Sequence, residues 1–352
     1  MNEKILRIRD KKKFFIPILL VFILILVISI ILAVYIGSVA ISFDKVFGIL
    51  LNSLGFNIDI TWTAGEENII LILRLPRVLM AVTVGAMLGI AGVVAQGLFK
   101  NPIVDPYIIG ISSSAGFGTA LTIVLGISGL LSIFTLPLVS FIFSSIAILT
   151  IYNLSKTKYH LSMSALLLSG IAISYFFSAF TSFILYFSEE HAHFVLTYLM
   201  GSFWGTTWTE FFLIFVIFIN GFAILFFYGR DLNAMVLGDD SAQSIGVNVE
   251  RSKRVMLMLM TLLTSSTVAF CGSIGFVGLI IPHIMRMLIG SNNRKLLVFS
   301  AVGGAFLLLW ADLVARSIVP PLELPVGILT SLLGGPFFVY LIIKKKKSGE
   351  LL

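Results

Sequence analysis

Cysteine, histidine and charged residues are scarce in this sequence of 352 residues. It contains one cysteine and four histidines, and 12% of its residues are charged, whereas soluble chains carry about 25%. The single cysteine, Cys271, excludes an internal disulfide and a cysteine-based metal cluster, and its apolar neighbours predict a buried, inert thiol. The HExxH, GxSxG and P-loop motifs are missing as well. We therefore expect no enzyme activity, no metal site and no nucleotide bound by this chain.

Hydrophobic residues are correspondingly abundant, at 58%, and the mean hydropathy is +1.07. A soluble core of this size could not bury so much apolar surface, so lipid is the expected solvent for most of the chain. Because a span needs about 20 mostly apolar residues, we predict an all-α polytopic membrane protein with one transmembrane domain over 1–352. Ten spans are predicted, at 14–36, 75–98, 107–126, 130–152, 162–187, 209–228, 255–271, 274–290, 296–315 and 325–343.

Lysine and arginine predict the orientation of these spans. With the N-terminus in the cytoplasm, all but four of the 24 basic residues fall in cytoplasmic segments, in agreement with the positive-inside rule. The four on the outer side are Lys45, Arg74, Arg77 and Arg316. An even number of spans then places both termini in the cytoplasm, in a multi-pass protein of the cell membrane. The net charge of +7 does not indicate nucleic-acid binding, because the charges cluster at the ends of spans.

A polar segment, 230–254, stands between two long apolar runs, and the charge count places it in the cytoplasm. We call it the inner polar segment. We expect Asp239 or Asp240 to cap a short helix that ends at Gly246, and Asn248 to cap a second short helix. Such a compact unit is typical of a surface that a soluble partner binds. A well-capped loop without a partner explains the same residues equally well.

On the outer side, Arg74 and Arg77 open the second span and Arg316 ends the ninth. Two interpretations are open: these arginines snorkel to lipid phosphates, or they form paired hydrogen bonds with carboxylates of an external partner. Asp312, one turn before Arg316, is predicted to be its intrahelical partner. The segment 188–208 is predicted to lie at the outer interface, partly as a short helix.

Seven stretches of the chain form a recognisable series in their order and spacing. They are RLPR (74–77), QGLFKNPIVDPYIIGISSSAGFG (96–118), LLLSGIAIS (166–174), LGDDSAQSIGVN (237–248), GSIGFVGLIIPHIMR (272–286), ADLVAR (311–316) and ELPVGILTSLLGGPFF (323–338). This series resembles the permease subunits of binding-protein-dependent ABC importers of the iron-siderophore, haem and cobalamin class. The likeness covers about 71–343, and the family shares the plan of ten spans with both ends inside.

The resemblance implies partners and residue roles that the residues alone do not. It implies a homodimer around a central path, two cytoplasmic ATPase subunits that hold ATP and Mg²⁺, and an outer solute-binding protein. The segment matching 230–254 would insert into the ATPases as coupling helices. The implied roles are ATPase coupling for Asp239, Asp240, Ser241 and Gly246, docking of binding-protein glutamates for Arg74, Arg77 and Arg316, and an inner gate at Asn101, Ile103, Ser162, Met163 and Ser164.

The expected function is import of a ferric siderophore or a similar chelate by alternating access, driven by the separate ATPases. Cobalamin, haem and molybdate are the alternative cargoes, and Met163 stands where a cobalamin relative has a small polar residue. An ion-coupled secondary transporter is a rival class, but it requires intramembrane acids, and we identify no chain of them. An intramembrane enzyme is disfavoured by the missing catalytic motifs.

Overall fold

A computed structural model describes residues 15–127, 129–131, 134–156, 161–319 and 322–347. The basic residues of the N-terminal segment, and Lys158, lie outside the described residues, so the structure does not test their part in the orientation. Within the described ranges the chain is helical, with one isolated bridge between Lys156 and Leu161 and no strand.

Thirteen helices are described, and a short 3-10 turn at Pro106–Ile109 precedes the fourth. In chain order they are α1 (Phe15–Tyr35), α2 (Phe43–Ser53), α3 (Ala64–Leu98), α4 (Ile111–Val124), α5 (Thr135–Ser155), α6 (Met163–Tyr186), α7 (Glu189–Leu199), α8 (Trp208–Val236), α9 (Asp239–Ser244), α10 (Val249–Cys271), α11 (Val277–Ile289), α12 (Asn293–Ala315) and α13 (Val326–Lys347).

Seven of these helices are long and apolar enough to cross a membrane, by length and composition. Three shorter apolar stretches, Ile111–Val124, Val277–Ile289 and Val326–Tyr340, fall within the remaining predicted spans. The prediction of an all-α polytopic membrane protein is therefore confirmed. Cys271, at the end of α10, is buried as predicted.

Helices α4 and α11 are too short to cross a bilayer by themselves. Their 14 and 13 residues extend about 20 Å, against a hydrocarbon thickness of about 30 Å. The irregular segment before α4, 99–110, meets the start of α11, where Pro106 packs against Gly278. Non-helical backbone at membrane depth has to be covered by protein, and this contact provides such cover.

Helix α3 is the centre of the structure, and α12 packs along it. A Cβ added to Gly85 would lie 2.2 Å from the carbonyl oxygen of Gly304, and one added to Gly89 would lie 2.1 Å from that of Ser300. Small residues permit this direct backbone contact, and van der Waals packing is a main attraction between helices in lipid. The contact holds α3 and α12 in register, so that the end of α12 lies beside the part of α3 that follows its π-helical turn.

The second span begins earlier than predicted, at Ala64 instead of 75. Thr63 starts it with a capping box, in which the Glu66 carboxylate accepts a hydrogen bond from the Thr63 backbone N–H. Residues Ile69–Arg74 are π-helical and lie just before Pro76, which has no N–H to donate. The wide turn accommodates the proline inside a continuous helix. Arg74 therefore lies within the helix and not at its start.

Candidate functional site: outer arginine cavity and inner polar segment

The three outer arginines lie together at one cavity. Arg74, Arg77 and Arg316 are all buried, and all three line a cavity of about 680 Å³ with Trp204 and Glu323. We call it the arginine cavity. The structure thus brings together three residues that the sequence placed on two spans far apart in the chain.

Two carboxylates of the same chain pair with Arg77. Its Nη2 donates to Asp312 Oδ1 at 2.8 Å, and its Nη1 donates to Glu323 Oε2 at 2.7 Å. The predicted pair within α12 is also present, with Arg316 Nε 3.7 Å from Asp312 Oδ2. Arg77 is nevertheless the closer partner of Asp312. Sequence spacing could not show this contact, because 235 positions separate the two residues.

The other two arginines donate hydrogen bonds to the free carbonyl groups at the C-terminal end of α1. Arg74 Nη1 donates to the carbonyl oxygens of Val34 at 3.0 Å and Tyr35 at 2.8 Å, and Arg316 Nη2 donates to that of Ala33. The last carbonyl groups of a helix have no partner within it, and a cation there interacts favourably with the helix dipole. Side chains engaged in this way do not snorkel to lipid phosphates. Their docking role stays a prediction.

The inner polar segment consists of the end of α8, the short helix α9 and the start of α10. The residue before α9 is Gly238, with a φ of 126° and no side-chain cap. Asp239 and Asp240 lie in the first helical turn, so the prediction that one of them caps α9 was wrong. The physical reason is the backbone: a φ of 126° strongly favours glycine at the cap position.

The features at the end of α9 agree with prediction in part. Gly246 has a φ of 88° and follows α9, and the Asn248 side chain accepts a hydrogen bond from the Arg251 N–H at 3.0 Å. The second helix is not short, however, because α10 continues for 23 residues to Cys271. The compact unit is therefore α9 alone, with a glycine of positive φ on each side of it.

Asp239 is the centre of a charged cluster in this segment. Its Oδ1 lies 3.1 Å from Lys100 Nζ, and its Oδ2 accepts a hydrogen bond from Lys253, whose side chain is buried. Burial opposes the charge on Asp239, but the hydrogen bonds from Lys253 and Lys100 outweigh it and hold the pKa of Asp239 below its ordinary value. Asp239 is therefore ionised at neutral pH. Sequence reasoning missed both lysines.

The predicted inner-gate residues lie in two short turns, one directly after Lys100 and one at the start of α6. Asn101 Oδ1 accepts from the Ile103 N–H at 3.1 Å, and Ser162 caps α6 by accepting from the Ala165 N–H at 3.3 Å. Met163 and Ser164 form the first turn of α6. Glu250 of α10 accepts the backbone N–H just before that cap, from Leu161 at 3.3 Å. Both turns are thereby tied to the inner polar segment.

Large apolar side chains flank α9, and sequence reasoning missed these as well. Leu237 is 79% exposed and Ile245 is 71% exposed, while Ala242 between them is buried. Asp240, Ser241 and Gly246 are exposed on the same short unit. The surface that surrounds α9 is thus part charged and part apolar.

The arginine cavity and the inner polar segment lie at opposite ends of α12. Arg316 follows its last residue, and at its first residue the Asn293 N–H donates to Asn233 Oδ1 of α8 at 2.7 Å. The 23 residues of α12 extend about 35 Å at 1.5 Å per residue. That length is comparable to the thickness of a bilayer, so the two features lie on opposite faces of the membrane.

This chain is similar to known proteins over most of its length. Residues 25–344 match the model of the FecCD transport family. The chain is 40% identical over 316 residues to the hemin transport system permease protein HmuU of Yersinia pestis, across 88% of this chain and 90% of that protein. It is 38% identical over 287 residues to the Fe(3+) dicitrate transport system permease protein FecD of Escherichia coli (strain K12), across 81% of this chain and 89% of that protein.

A solved structure gives the same likeness in three dimensions. It is described as an ABC transporter of metal-chelate type in an inward-facing conformation. The similarity has a TM-score of 0.81 with 34% sequence identity, and it covers 93% of this chain and 99% of that chain.

Proposed function

This chain belongs to the FecCD transport family, and we propose that it forms the membrane path of an importer for a ferric siderophore or a similar chelate. It is a multi-pass protein of the cell membrane and resembles transport permease subunits over most of its length. In this proposal two copies form a homodimer, and two separate cytoplasmic subunits hydrolyse ATP. A solute-binding protein delivers the cargo on the outer side, and the path opens alternately to each side.

The surface around α9 is the observation that carries the proposal. Leu237 and Ile245 present large apolar side chains beside a short helix, at the end of the molecule opposite to the arginine cavity. Exposed apolar surface with a polar rim is typical of protein-binding sites, and a short helix seated in a groove is a common mode of recognition. An ATPase subunit with such a groove would cover both side chains, and Asp240 and Ser241 would lie at the rim.

The arginine cavity supports docking of an acidic partner on the outer side. It holds three guanidinium groups against the two carboxylates of Asp312 and Glu323. One positive charge is therefore left over, and an unbalanced charge in a cavity attracts a group of opposite sign. A carboxylate of the solute-binding protein is the proposed occupant.

A ferric chelate is the preferred cargo because a similar protein carries the name Fe(3+) dicitrate. Cobalamin, haem itself and molybdate are the alternative cargoes of the same importer class. Mass spectrometry of the compound that the cognate binding protein retains on purification decides among them.

The test of the importer proposal is ATP-driven uptake in proteoliposomes. We expect the chain to co-purify with its cognate ATPase subunits and to transport a ferric hydroxamate siderophore only when ATP is present. Uptake driven by an ion gradient without ATP would contradict the proposal.

A variant at α9 tests the ATPase-binding surface directly. We expect Ile245→Asp to weaken co-purification with the ATPase at least about 10-fold, since loss of an interface hot spot costs about 2 kcal/mol or more, and about 1.4 kcal/mol is a factor of ten. Leu54→Asp is the matched control, because Leu54 is 74% exposed and lies after α2 on the predicted outer side. Equal ATPase binding by the two variants would show that α9 is not part of the interface.

A further inference from the structure

Lys100 has a backbone conformation that favours glycine. Its φ is 49°, and among the described non-glycine residues only Phe276 shares a positive φ. The residue lies just past α3, where its N–H reaches the Gly97 carbonyl oxygen at 3.3 Å and the Asn101 N–H reaches that of Gln96 at 3.1 Å. Such a left-handed helix end is usually glycine, and another residue there costs about 1 kcal/mol.

The stability that the ion pair of Lys100 contributes does not outweigh the cost of its backbone conformation. The side chain of Lys100 is 43% exposed, and the pair with Asp239 spans 3.1 Å. Half-exposed ion pairs contribute about 1 kcal/mol or less, which does not exceed the cost of the backbone conformation. Stability alone therefore does not account for a lysine at this position.

The pair connects the predicted ATPase-binding helix to one of the predicted gate turns. Asp239 is the first residue of α9, and its second oxygen is held by the buried Lys253 of α10. On the other side, Lys100 precedes Asn101, whose side chain closes a tight turn onto Ile103. Lys100 is therefore joined to α9 by a salt bridge and to Ile103 by a short, hydrogen-bonded turn.

We infer that the Lys100–Asp239 ion pair carries movement of α9 to the turn at Asn101–Ile103, with Lys100 as a positioning residue. The inference rests on the proposed function, because only a bound ATPase would move α9. It assigns Asp239 to contacts within the chain and leaves the exposed Asp240 and Ser241 for the ATPase. The contact between Glu250 and Leu161 ties the second gate turn to α10 in the same way.

Lys100→Gly is a favourable test variant because it removes the side chain and also relieves the backbone. We expect this variant to be at least as thermostable as the original chain, since glycine adopts positive φ without cost. A loss of transmission then cannot be attributed to unfolding. Lys100→Arg keeps the charge and is the matched control.

The readout is the reaction of Ile103→Cys with a maleimide, in the complex with the cognate ATPase subunits, with and without ATP and vanadate. The native Cys271 is buried and gives the background. In the Lys100 background we expect ATP and vanadate to change the labelling rate. In Lys100→Gly that change is expected to fall at least about 5-fold, the lower end of typical coupling between sites, and Lys100→Arg is expected to restore it.

Three outcomes would overturn the inference. They are an unchanged ATP response in Lys100→Gly, no recovery in Lys100→Arg, and no response of Ile103→Cys in the Lys100 background. A chain that binds no ATPase subunit before any substitution overturns the proposed function itself, and the inference with it. Co-purification separates that case from the other three.

Discussion

At Asp312, one buried carboxylate is shared by arginines from two helices. It accepts hydrogen bonds from Arg77 of α3 and lies one turn from Arg316, which binds the end of α1. Removing one partner of a buried ion pair leaves an uncompensated charge, which costs far more than the pair contributes. Asp312 therefore holds three helices together at the predicted outer face, next to the arginine cavity.

We predict that Asp312→Asn lowers the free energy of unfolding by about 3 kcal/mol or more, because two guanidinium groups lose their shared counter-charge. Thermal unfolding of the purified chain in detergent measures the effect. Asp59→Asn is the control, since Asp59 is exposed in the loop after α2 and we expect a change within about 0.5 kcal/mol. Similar unfolding temperatures for the two variants would contradict the structural role of Asp312.

At the scale of helices, the contact between α3 and α12 depends on glycine. Gly85 and Gly304 each lie so close to the carbonyl oxygen of the other that no side chain fits between the two backbones. Ser300 meets Gly89 one turn further along. This contact sets the distance between the helices that carry Arg77 and Asp312, so it also sets the geometry of the arginine cavity.

We predict that Gly85→Ala destabilises the chain by about 1–3 kcal/mol, because its Cβ would meet backbone and force the helices apart. Gly65→Ala is the matched control: Gly65 also lies in a helix, and the nearest atom to an added Cβ is Thr63 Oγ1 at 3.8 Å. There alanine is expected to be neutral or stabilising by about 0.5 kcal/mol. Thermal unfolding in detergent distinguishes the two; a neutral Gly85→Ala would show that α3 and α12 are not in direct contact.

The helix boundaries show which parts of a helix a local sequence pattern can predict. The apolar core of each span was predictable, because hydropathy is a property of a continuous run of residues. The ends of α3, α8 and α10 were not, since these helices continue past the apolar run into polar sequence. There the helix is stabilised by contacts with other parts of the chain, such as that of Asn233 with Asn293.

At the scale of the whole molecule, the orientation remains a prediction from the distribution of basic residues. It places Ser53, at the end of α2, outside the cell and Ser291, before α12, in the cytoplasm. Both residues are exposed, and the single native cysteine is buried. The chain is therefore suited to cysteine labelling from one side of the membrane.

We predict that a membrane-impermeant maleimide labels Ser53→Cys in intact cells and labels Ser291→Cys only after the membrane is opened. The reason is the positive-inside rule, by which the basic termini and loops stay in the cytoplasm. The unsubstituted chain measures the reaction of Cys271. The reverse labelling pattern would show that the orientation is opposite to the predicted one and that α9 lies outside, where no ATPase could reach it.

By itself, the sequence determined that this chain is an all-α polytopic membrane protein, and its motifs predicted the family. Hydropathy, charge at the ends of spans and short motifs are local, and lipid imposes the helix on any long apolar run because every backbone group has to be satisfied within it. The same reasoning found Arg74, Arg77, Arg316 and the segment around α9.

Only the tertiary structure decided which of these residues face one another. Arg77 pairs with Glu323 across 246 positions, and Lys100 pairs with Asp239 across 139. No periodicity relates residues so far apart, because their meeting depends on how α3 packs against its neighbours. The backbone conformation at Lys100 and the glycine contact at Gly85 have the same origin: both are consequences of packing, which local sequence patterns do not record.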